Sequence, residues 1–283
     1  MSASSPQILR LAAFTEDPAG GNPAGVVPDA RGLDAAAMQR IAADVGFSET
    51  AFLVAAYDAA AGTYDVRYFS PEAEVPFCGH ATIASAVAVG SDQPHTDLVF
   101  RTQAGEVPVA VTAGRAALSS VPPAVHDVSA ADLDVALALL RWSHADLDPA
   151  LPPRIAYAGA RHLILAAASR DRLARLDYDF AGLRAFMLER DLVTVDLVFR
   201  ESLTVFHARN PFPVGGVVED PATGAAAAAA AFGGYLRALD FVTPPTQVTV
   251  HQGHDMGRPS TITVDIPADD PSITVSGAAV RMD

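Results

Sequence analysis

The 283-residue chain is half hydrophobic and only 18% charged, which provides material for a sizeable core and excludes a disordered or collagen-like protein. Its net charge of −14, together with the lack of a basic cluster, argues against nucleic acid or an anionic membrane surface as a partner. A single cysteine excludes an intramolecular disulfide, and the length suits two lobes of about 100–150 residues each.

The first half of the chain predicts short strands and two helices. An apolar run covers residues 8–14, and Val26 and Val27 are placed to start a second strand. Asp34 can cap a helix whose apolar residues recur at helical spacing up to Gly46. Further strands are predicted at 51–54, at 63–69 and within 92–118, with a helix of small residues after Gly79.

The second half repeats this theme after a proline-containing connection that begins at Val121. Mixed strands with few helices predict an α+β fold. We expect an N-terminal lobe of residues 1–118, with the tail 275–283 as a candidate addition, and a C-terminal lobe of residues 119–274. Helices are predicted at 132–140, at 181–189 and after Gly224, and strands at 163–167, 193–199, 247–251 and 261–266.

The sequence gives no sign of a secretory signal or a membrane span. The first twenty residues lack an apolar core segment, because Glu16 and Asp17 follow a weak apolar run. The longest uncharged apolar stretch, 221–236, has 16 residues and three glycines, which is too short and broken to cross a bilayer. We therefore expect a cytoplasmic protein.

Two segments of the chain resemble each other without gaps. EVPFCGHATIASA (74–86) and EDPATGAAAAAAA (219–231) share an E-x-P-x-x-G frame at an offset of 145 residues. Each copy predicts a Pro–Gly turn that leads into a helix of small residues, and a helix N-terminus attracts anions. Two such helix starts, one from each lobe and facing across a cleft, would form an anion clamp. The alternative is two core helices with ordinary turns, and the paired positions favour the clamp.

Glu49 is the first candidate for chemistry. It stands in FSETAF, between a predicted helix and a predicted strand, among Phe47, Ala51 and Phe52. A carboxylate in such apolar surroundings can take and return a proton near neutral pH. Most glutamates are solvated surface groups, and this remains the competing interpretation of Glu49.

Three further residues lie at the two repeated turns. His80 can donate to a substrate carboxylate, or it can be a capping or core histidine. Asp220 can act on a substrate, or it can simply cap a helix. A cysteine-pair racemase needs two thiols, and the residue that matches Cys78 in the second copy is Thr223. That mechanism is therefore excluded, and Cys78 is expected to be a packed small hydrophobe.

Metal and nucleotide sites are not expected. The eight histidines form no HExxH motif, and His251 and His254 in HQGH lack an evident third ligand. The chain also lacks a phosphate-binding GxxxxGK[ST] or GxGxxG loop and a GxSxG serine elbow. We therefore expect no metal and no organic cofactor.

Several motifs follow one another in the order found in one known family, and the resemblance covers nearly the full chain. The chain is similar to the PhzF-like isomerases of phenazine biosynthesis, which are related in fold to diaminopimelate epimerase. The resemblance lies in GGNPAGVV (20–27), MQRIAADVGFSETAF (38–52), VRYFSPEAEVPFCGHAT (66–82), VVEDPATG (217–224), QGHDMGRPS (252–260) and the closing VSGAAVRM.

The resemblance implies two pseudo-symmetric lobes, each a curved mixed sheet wrapped around a central helix, with the active site between them. It implies that Glu49 is the acid–base group, aided by His80 and Asp220. It also implies a homodimer that uses neither metal nor cofactor on a small carboxylate-bearing substrate. The expected substrate-binding residues are Asn22, Gly79, Thr223, Gly224 and Ala225.

One departure from the family concerns the substrate. In the phenazine enzyme the glutamate moves a proton between carbons of dihydro-hydroxyanthranilate, and a serine follows the T-G pair. This chain has Ala225 there, so a hydroxyl at the helix start is missing. The leading hypothesis is a proton-moving isomerase. The alternatives are an epimerase or racemase with a second base from the other lobe, such as Asp220, and a catalytically silent metabolite-binding protein.

Overall fold

A computed structural model of the chain describes residues 6–58, 62–90, 95–222 and 225–283. The chain forms two compact units, Met1–Ser119 with Ser276–Asp283 and Ser120–Val275. Strands dominate both units and helices are few, so the predicted α+β class is confirmed. Across the described ranges, no helix has the length and apolarity that crossing a membrane requires.

The first unit is a ring of strands. Hydrogen-bonded pairing runs in the order β17, β1, β2, β3, β4, β6, β7, β8 and back to β17, and the short β5 adds to β4. The pairs β2–β3 and β4–β6 are parallel. The strands are β1 (Leu9–Ala13), β2 (Asn22–Val27), β3 (Glu49–Asp58), β4 (Thr63–Phe69), β5 (Glu74–Val75), β6 (His95–Thr102), β7 (Gly105–Thr112), β8 (Arg115–Ser119) and β17 (Thr274–Arg281).

Helix α2 (Gly79–Gly90) is the central helix of this ring. It packs against β1, β2, β3, β6, β7 and β8, and ten of its 12 residues are buried. Its sequence allows this position, because Gly, Ala and Ser let strands approach closely on every side. At Gly90, an added Cβ would lie 3.0 Å from a methyl of Val111. An apolar helix with no polar stripe is the type that a protein interior accepts.

Helix α1 (Ala35–Val45) joins β2 to β3 and packs outside the ring. The Asp34 side chain accepts a hydrogen bond from Ala37 N, and Gly46 ends the helix in a left-handed conformation. Met38 and Ala42 bury one face of α1 against a cluster that includes Phe52. Both ends of α1 agree with the prediction, since capping residues act locally.

The second unit repeats the arrangement of the first. The pairing order is β9–β10–β11–β12–β13–β15–β16, with β14 added to β13. The pairs β11–β12 and β13–β15 are parallel, as are β2–β3 and β4–β6. These strands are β9 (Ala124–Asp127), β10 (Arg154–Tyr157), β11 (Arg161–Ala167), β12 (Thr194–Arg200), β13 (Val205–Phe212), β14 (Val217–Asp220), β15 (Thr246–Gln252) and β16 (Ser260–Ile266).

The helices of the second unit occupy matching places. α6 (Ala225–Ala238) follows β14 as α2 follows β5, and it packs against β9, β10, β11 and β16. α4 (Arg170–Ala174) and α5 (Phe180–Glu189) lie in the β11–β12 connection, where the first unit has α1. With α3 (Ala130–Leu139), α5 covers an apolar cluster that includes Leu163, Phe186 and Leu197. The predicted duplication is thus present at the level of strand order.

Several predictions of element bounds need correction. β2 begins at Asn22 and ends with Val26 and Val27, although these two valines were expected to start it. β3 begins at Glu49, so the strand is longer than the predicted 51–54. The strands that the prediction omitted are β5, β9, β10, β13, β14 and β17, which are short or carry polar residues.

Candidate active site

The candidate residues of the first unit lie close together, because each stands at or near the start of its strand or helix. Asn22 and Glu49 are the first residues of the parallel strands β2 and β3, and Ala24 pairs with Glu49. His80 lies in the first turn of α2, beside Gly79. Because α2 packs against both strands, its first turn meets their ends.

His80 is the centre of this group. Its side chain is 1% exposed, and Nε2 lies 3.4 Å from Glu49 Oε2 and 3.4 Å from Ser48 Oγ. Nδ1 lies 3.2 Å from Asn22 Nδ2. The Asn22 amide nitrogen can only donate, so Nδ1 accepts this hydrogen bond and the ring proton belongs on Nε2. The imidazole N–H therefore points towards the Glu49 carboxylate.

Burial sets the charge of His80. Loss of solvation lowers the pKa of His80, and the neighbouring Glu49 carboxylate raises it in part. The balance leaves a neutral imidazole at neutral pH. Glu49 is more accessible than His80, with 18% of its side chain exposed. A carboxylate that a ligand can reach thus stands against a neutral hydrogen-bond donor, which suits proton transfer rather than a permanent ion pair.

Cys78 is closer to this group than the sequence suggested. It is buried, as expected of a packed small side chain, but its Sγ also lies 3.3 Å from His80 Nδ1 and 3.8 Å from Nε2. Glu49, Cys78 and His80 place an oxygen, a sulfur and a nitrogen within 4.8 Å of one another, a spacing that can hold a metal ion. The i,i+2 spacing of cysteine and histidine was the available signal for this contact.

A second hydrogen-bond chain supports the first turn of α2. Thr82 Oγ1 donates to the carbonyl of Cys78 at 2.7 Å, and the fully buried Tyr68 hydroxyl lies 2.7 Å from Thr82 Oγ1. Burial raises the pKa of Tyr68 well above its usual range, so the phenol stays protonated. Thr82 must give its own proton to Cys78 O, and therefore the Tyr68 hydroxyl donates to Thr82. Neither residue was singled out in the sequence.

The glutamates of the repeated frame have a structural role in both units. Glu74 on β5 accepts two hydrogen bonds from Arg67 on β4, each of 2.6 Å. Glu219 on β14 accepts from Arg209 on β13, with Nε at 2.9 Å from Oε1. Each bidentate pair fastens a short strand to its neighbour just before the turn into the central helix. The repeated glutamates Glu74 and Glu219 thus have the same structural role, which is to hold a short strand to its neighbour. The sequence alone does not reveal this role.

The residues expected from the second half belong to the second unit. Asp220 ends β14, is 5% exposed, and accepts a hydrogen bond from Ala222 N at 3.1 Å through Oδ1. Gln252 donates to the Asp220 carbonyl at 3.0 Å. Thr223 and Gly224 lie outside the described residues. Ala225 is the first residue of α6, and its side chain is likewise outside the description.

The comparisons with known proteins cover nearly all of this structure. The family model described as phenazine biosynthesis-like protein, PhzC-PhzF, matches residues 11–283. The "Uncharacterized isomerase YddE" of Salmonella typhimurium is 33% identical over 296 residues, covering 97% of this chain and 96% of that protein. The trans-2,3-dihydro-3-hydroxyanthranilate isomerase of Pseudomonas chlororaphis is 31% identical over 250 residues, covering 88% and 86%.

One solved structure has the same fold as this chain. That of a predicted epimerase from Pseudomonas aeruginosa has a TM-score of 0.84 at 25% identity, and the match covers 99% of this chain and 98% of the other. The family match spans both units, including the segments that carry Glu49, His80 and Asp220. The chain therefore belongs to the phenazine biosynthesis-like (PhzC-PhzF) protein family, as its motifs predicted.

Proposed function

We propose that this protein is a cofactor-independent isomerase that moves a proton on a small carboxylate-bearing metabolite. The observation that carries the proposal is the Glu49–His80 pair, in which a partly exposed carboxylate lies 3.4 Å from a fully buried, neutral imidazole. The names of the two isomerase relatives support the same reaction class.

In the proposed reaction Glu49 works as both base and acid. Its carboxylate removes a proton from an activated carbon of the substrate, and the resulting carboxylic acid returns the proton to another carbon on the same face. No net proton is gained or lost. The His80 Nε2–H orients Glu49 and the substrate, and its neutral state keeps it from quenching the carboxylate as a permanent ion pair would.

The substrate carboxylate is assigned to backbone N–H groups at the helix starts. Gly79 begins α2, and a helix N-terminus favours negative charge. Thr223, Gly224 and Ala225 are the proposed counterparts in the second unit, and Asp220 is proposed to polarise the substrate. The missing hydroxyl at Ala225 makes the substrate of the Pseudomonas chlororaphis isomerase one candidate among small carboxylates rather than the assigned one.

Solvent deuterium tests the role of Glu49. Candidate carboxylates, including trans-2,3-dihydro-3-hydroxyanthranilate, are incubated with the protein in deuterated water and examined by NMR and mass spectrometry. We expect Glu49→Gln to lower product formation and deuterium incorporation at least about 100-fold, because an amide cannot carry the proton. Glu72→Gln, at an exposed glutamate of the same unit, is the matched control and should be fully active.

The outcomes of this experiment separate the hypotheses. Equal exchange by wild type and Glu49→Gln would exclude Glu49 as the base. A carboxylate that raises the melting temperature without any exchange of its hydrogens would favour a silent binding protein over an enzyme.

An epimerase is the second candidate, and the solved structure of a predicted epimerase favours it. In that reaction Asp220, buried at the end of β14, supplies the second base on the opposite face of the carbon. Inverted configuration with solvent deuterium at a single carbon, lost in Asp220→Asn, would identify this reaction. Retained configuration with a shifted proton identifies the isomerase.

The remaining parts of the proposal concern assembly and location. We infer a homodimer from the resemblance to the family, and we propose a cytoplasmic location, as the sequence led us to expect. Sedimentation equilibrium at several protein concentrations tests the dimer, and fractionation of the source cells tests the location. A monomer at all concentrations would remove the dimer from the proposal and leave the role of Glu49 untouched.

A further inference from the structure

Three histidines converge in the second unit, and none of them has a role in the proposed reaction. His207 on β13 and His251 on β15 are direct partners in the parallel β13–β15 pair, so their side chains lie on the same face. His254 follows in the turn after β15. The ring centroids are separated by 5.4 Å for His207–His251, 5.5 Å for His251–His254 and 6.3 Å for His207–His254.

From this cluster we propose a binding site for a divalent transition-metal ion of the Zn²⁺ class, with His207, His251 and His254 as the three protein ligands. Imidazole is a preferred ligand of Zn²⁺, Ni²⁺ and Cu²⁺. Three imidazoles bound tetrahedrally to one zinc have centroids about 5 Å apart, given a Zn–N distance of about 2 Å. Two of the three observed separations are close to that value, and the His207–His254 separation of 6.3 Å is longer.

Two buried ring nitrogens in the cluster lack a partner. Among the residues that the structure describes, neither His207 Nδ1 nor His251 Nδ1 has a hydrogen-bond partner, although both atoms are buried. A buried polar atom without a partner destabilises the folded protein, so it needs an explanation. An ion bound to both nitrogens would satisfy them together.

Glu201 fixes the tautomer of His207 that metal binding through Nδ1 requires. Its Oε2 lies 2.6 Å from His207 Nε2, and a carboxylate accepts, so the ring proton belongs on Nε2. The lone pair is then on Nδ1, the nitrogen that lacks a partner. A carboxylate behind a metal-ligating histidine is the usual arrangement that orients such a ligand and increases its basicity.

One cation, Arg170, lies beside the cluster. Its guanidinium is held by Asp255 at 2.9 Å, which offsets its charge there.

The cluster needs one adjustment to bind a metal. Within the described part of the chain, three donor atoms already within 4.8 Å of one another occur only at Glu49, Cys78 and His80. The His254 ring therefore has to turn towards the other two, which its exposed position on a turn permits. HQGH shows no third ligand in the sequence, because His207 joins it only through strand pairing.

Zinc binding by untagged, chelator-treated protein at pH 7.5 tests the proposal. The Cys78→Ser variant is used throughout as the background, so that the thiol-containing group of the first unit does not add to the stoichiometry. We expect one Zn²⁺ per chain in calorimetry and equilibrium dialysis, and no binding of Mg²⁺, which prefers oxygen ligands. Zn²⁺ should also raise the melting temperature.

Single substitutions locate the site. His254→Gln and His251→Gln should each weaken Zn²⁺ binding by more than about 10-fold, and Glu201→Gln by about 10–100-fold through the loss of its hold on His207. His144→Gln is the matched control, because His144 is an exposed histidine of the same unit that is likewise paired with a carboxylate, Asp134. This control should bind as tightly as the background.

Each outcome decides the proposal. The absence of Zn²⁺ binding by the background protein would overturn it, as would unchanged binding in His254→Gln. Because His254 is exposed, this substitution leaves the core intact, and a loss of binding reports on the site. Equal weakening in His144→Gln would indicate adsorption to surface histidines instead. The readout is zinc binding rather than turnover, and every variant is compared with the same Cys78→Ser background, so the result does not depend on the proposed reaction.

Discussion

At the scale of single residues, Asp196 is a buried carboxyl group outside the proposed reaction. It lies on β12, is 3% exposed, and accepts a hydrogen bond from Asn210 Nδ2 at 3.1 Å. Burial raises the pKa of Asp196 to about 7, and the Asn210 hydrogen bond opposes this only in part. Asn210 Oδ1 is buried and has no partner among the described residues, so a protonated Asp196 would bring a donor beside it.

The raised pKa makes stability depend on pH. The unfolded chain loses this proton near pH 4, whereas the folded protein keeps it up to about pH 7. The folded state therefore binds more protons between these values, and its stability falls as the pH rises through this range. The loss of stability levels off as the pH rises above the folded-state pKa.

Asp196→Asn should remove this loss. We expect the variant to be more stable than wild type at pH 8, by roughly 4 kcal/mol at most, and to differ much less at pH 4. Urea unfolding at the two pH values measures the difference. A variant that is destabilised equally at both pH values would show that the Asp196 carboxylate, rather than the acid, is the form that fits the interior.

The site residues show how far single positions can be read from sequence. Glu49 and His80 were identified from their motifs, and the structure brings their side chains to 3.4 Å. The contacts of Asn22 and Cys78 with Nδ1 of His80 were not predictable, because they depend on how α2 enters the ring of strands. The catalytic roles remain a proposal that the deuterium experiment tests.

At the scale of elements, the close packing of β2 on β3 fixes the start of both strands. Gly25 pairs with Thr50, and a Cβ added to Gly25 would lie 2.5 Å from Thr50 Oγ1 and 2.9 Å from its methyl. Thr50 is completely buried and cannot move aside. This contact requires glycine and stands next to Glu49, the first residue of β3.

Gly25→Ala should therefore destabilise the protein by about 1–3 kcal/mol through overpacking. The same substitution in a Thr50→Ala background should cost much less, because the threonine Oγ1 and methyl are gone. Denaturant unfolding of the four proteins in this double-mutant cycle gives the interaction energy. Equal costs in both backgrounds would show that the strain arises elsewhere.

Element bounds were predictable where the signal is local. Asp34 and Gly46 end α1 as predicted, since a cap needs only neighbouring residues. β13 was missed because it carries the buried polar residues Arg209 and Asn210 followed by Pro211, which break the apolar pattern of a strand. Glu219 accepts hydrogen bonds from Arg209, and Asp196 accepts one from Asn210, and one sequence does not reveal that pairing.

At the scale of the whole molecule, β17 closes the ring of the first unit. It pairs with β1 and β8, and Phe14 N donates to the carbonyl of Ala278 at 2.7 Å. β17 packs closely against Phe14, the residue that follows β1. A Cβ added to the buried Gly277 would lie 2.4 Å from the phenyl group of Phe14. Phe14 is itself fully buried, so it cannot yield.

Gly277→Ala should loosen the first unit alone. We expect hydrogen exchange followed by mass spectrometry to show faster exchange in β1, β8 and α2, because closure of the ring protects these elements. Peptides from α5 and β12 should keep the wild-type rate. Ser276→Ala, at the neighbouring position, is the control, and a uniform increase throughout the chain would show that the two units unfold as one.

The whole-molecule architecture was predictable mainly through repetition. The E-x-P-x-x-G echo indicated two related halves, and the strand order of the two units confirms the duplication. The tail 275–283 was a candidate addition to the N-terminal lobe, but the pairing by which β17 closes the first ring has no local signal in the sequence. Its partners are separated from it by the entire second unit.

That separation has a consequence for synthesis. On the ribosome, all of residues 120–275 emerge between β8 and the strand that completes the first ring. Nascent domains usually finish folding in the order in which they are translated. Here the half that is made first must wait, with the apolar surface of α2 incompletely covered, until the half that is made second has left the exit tunnel.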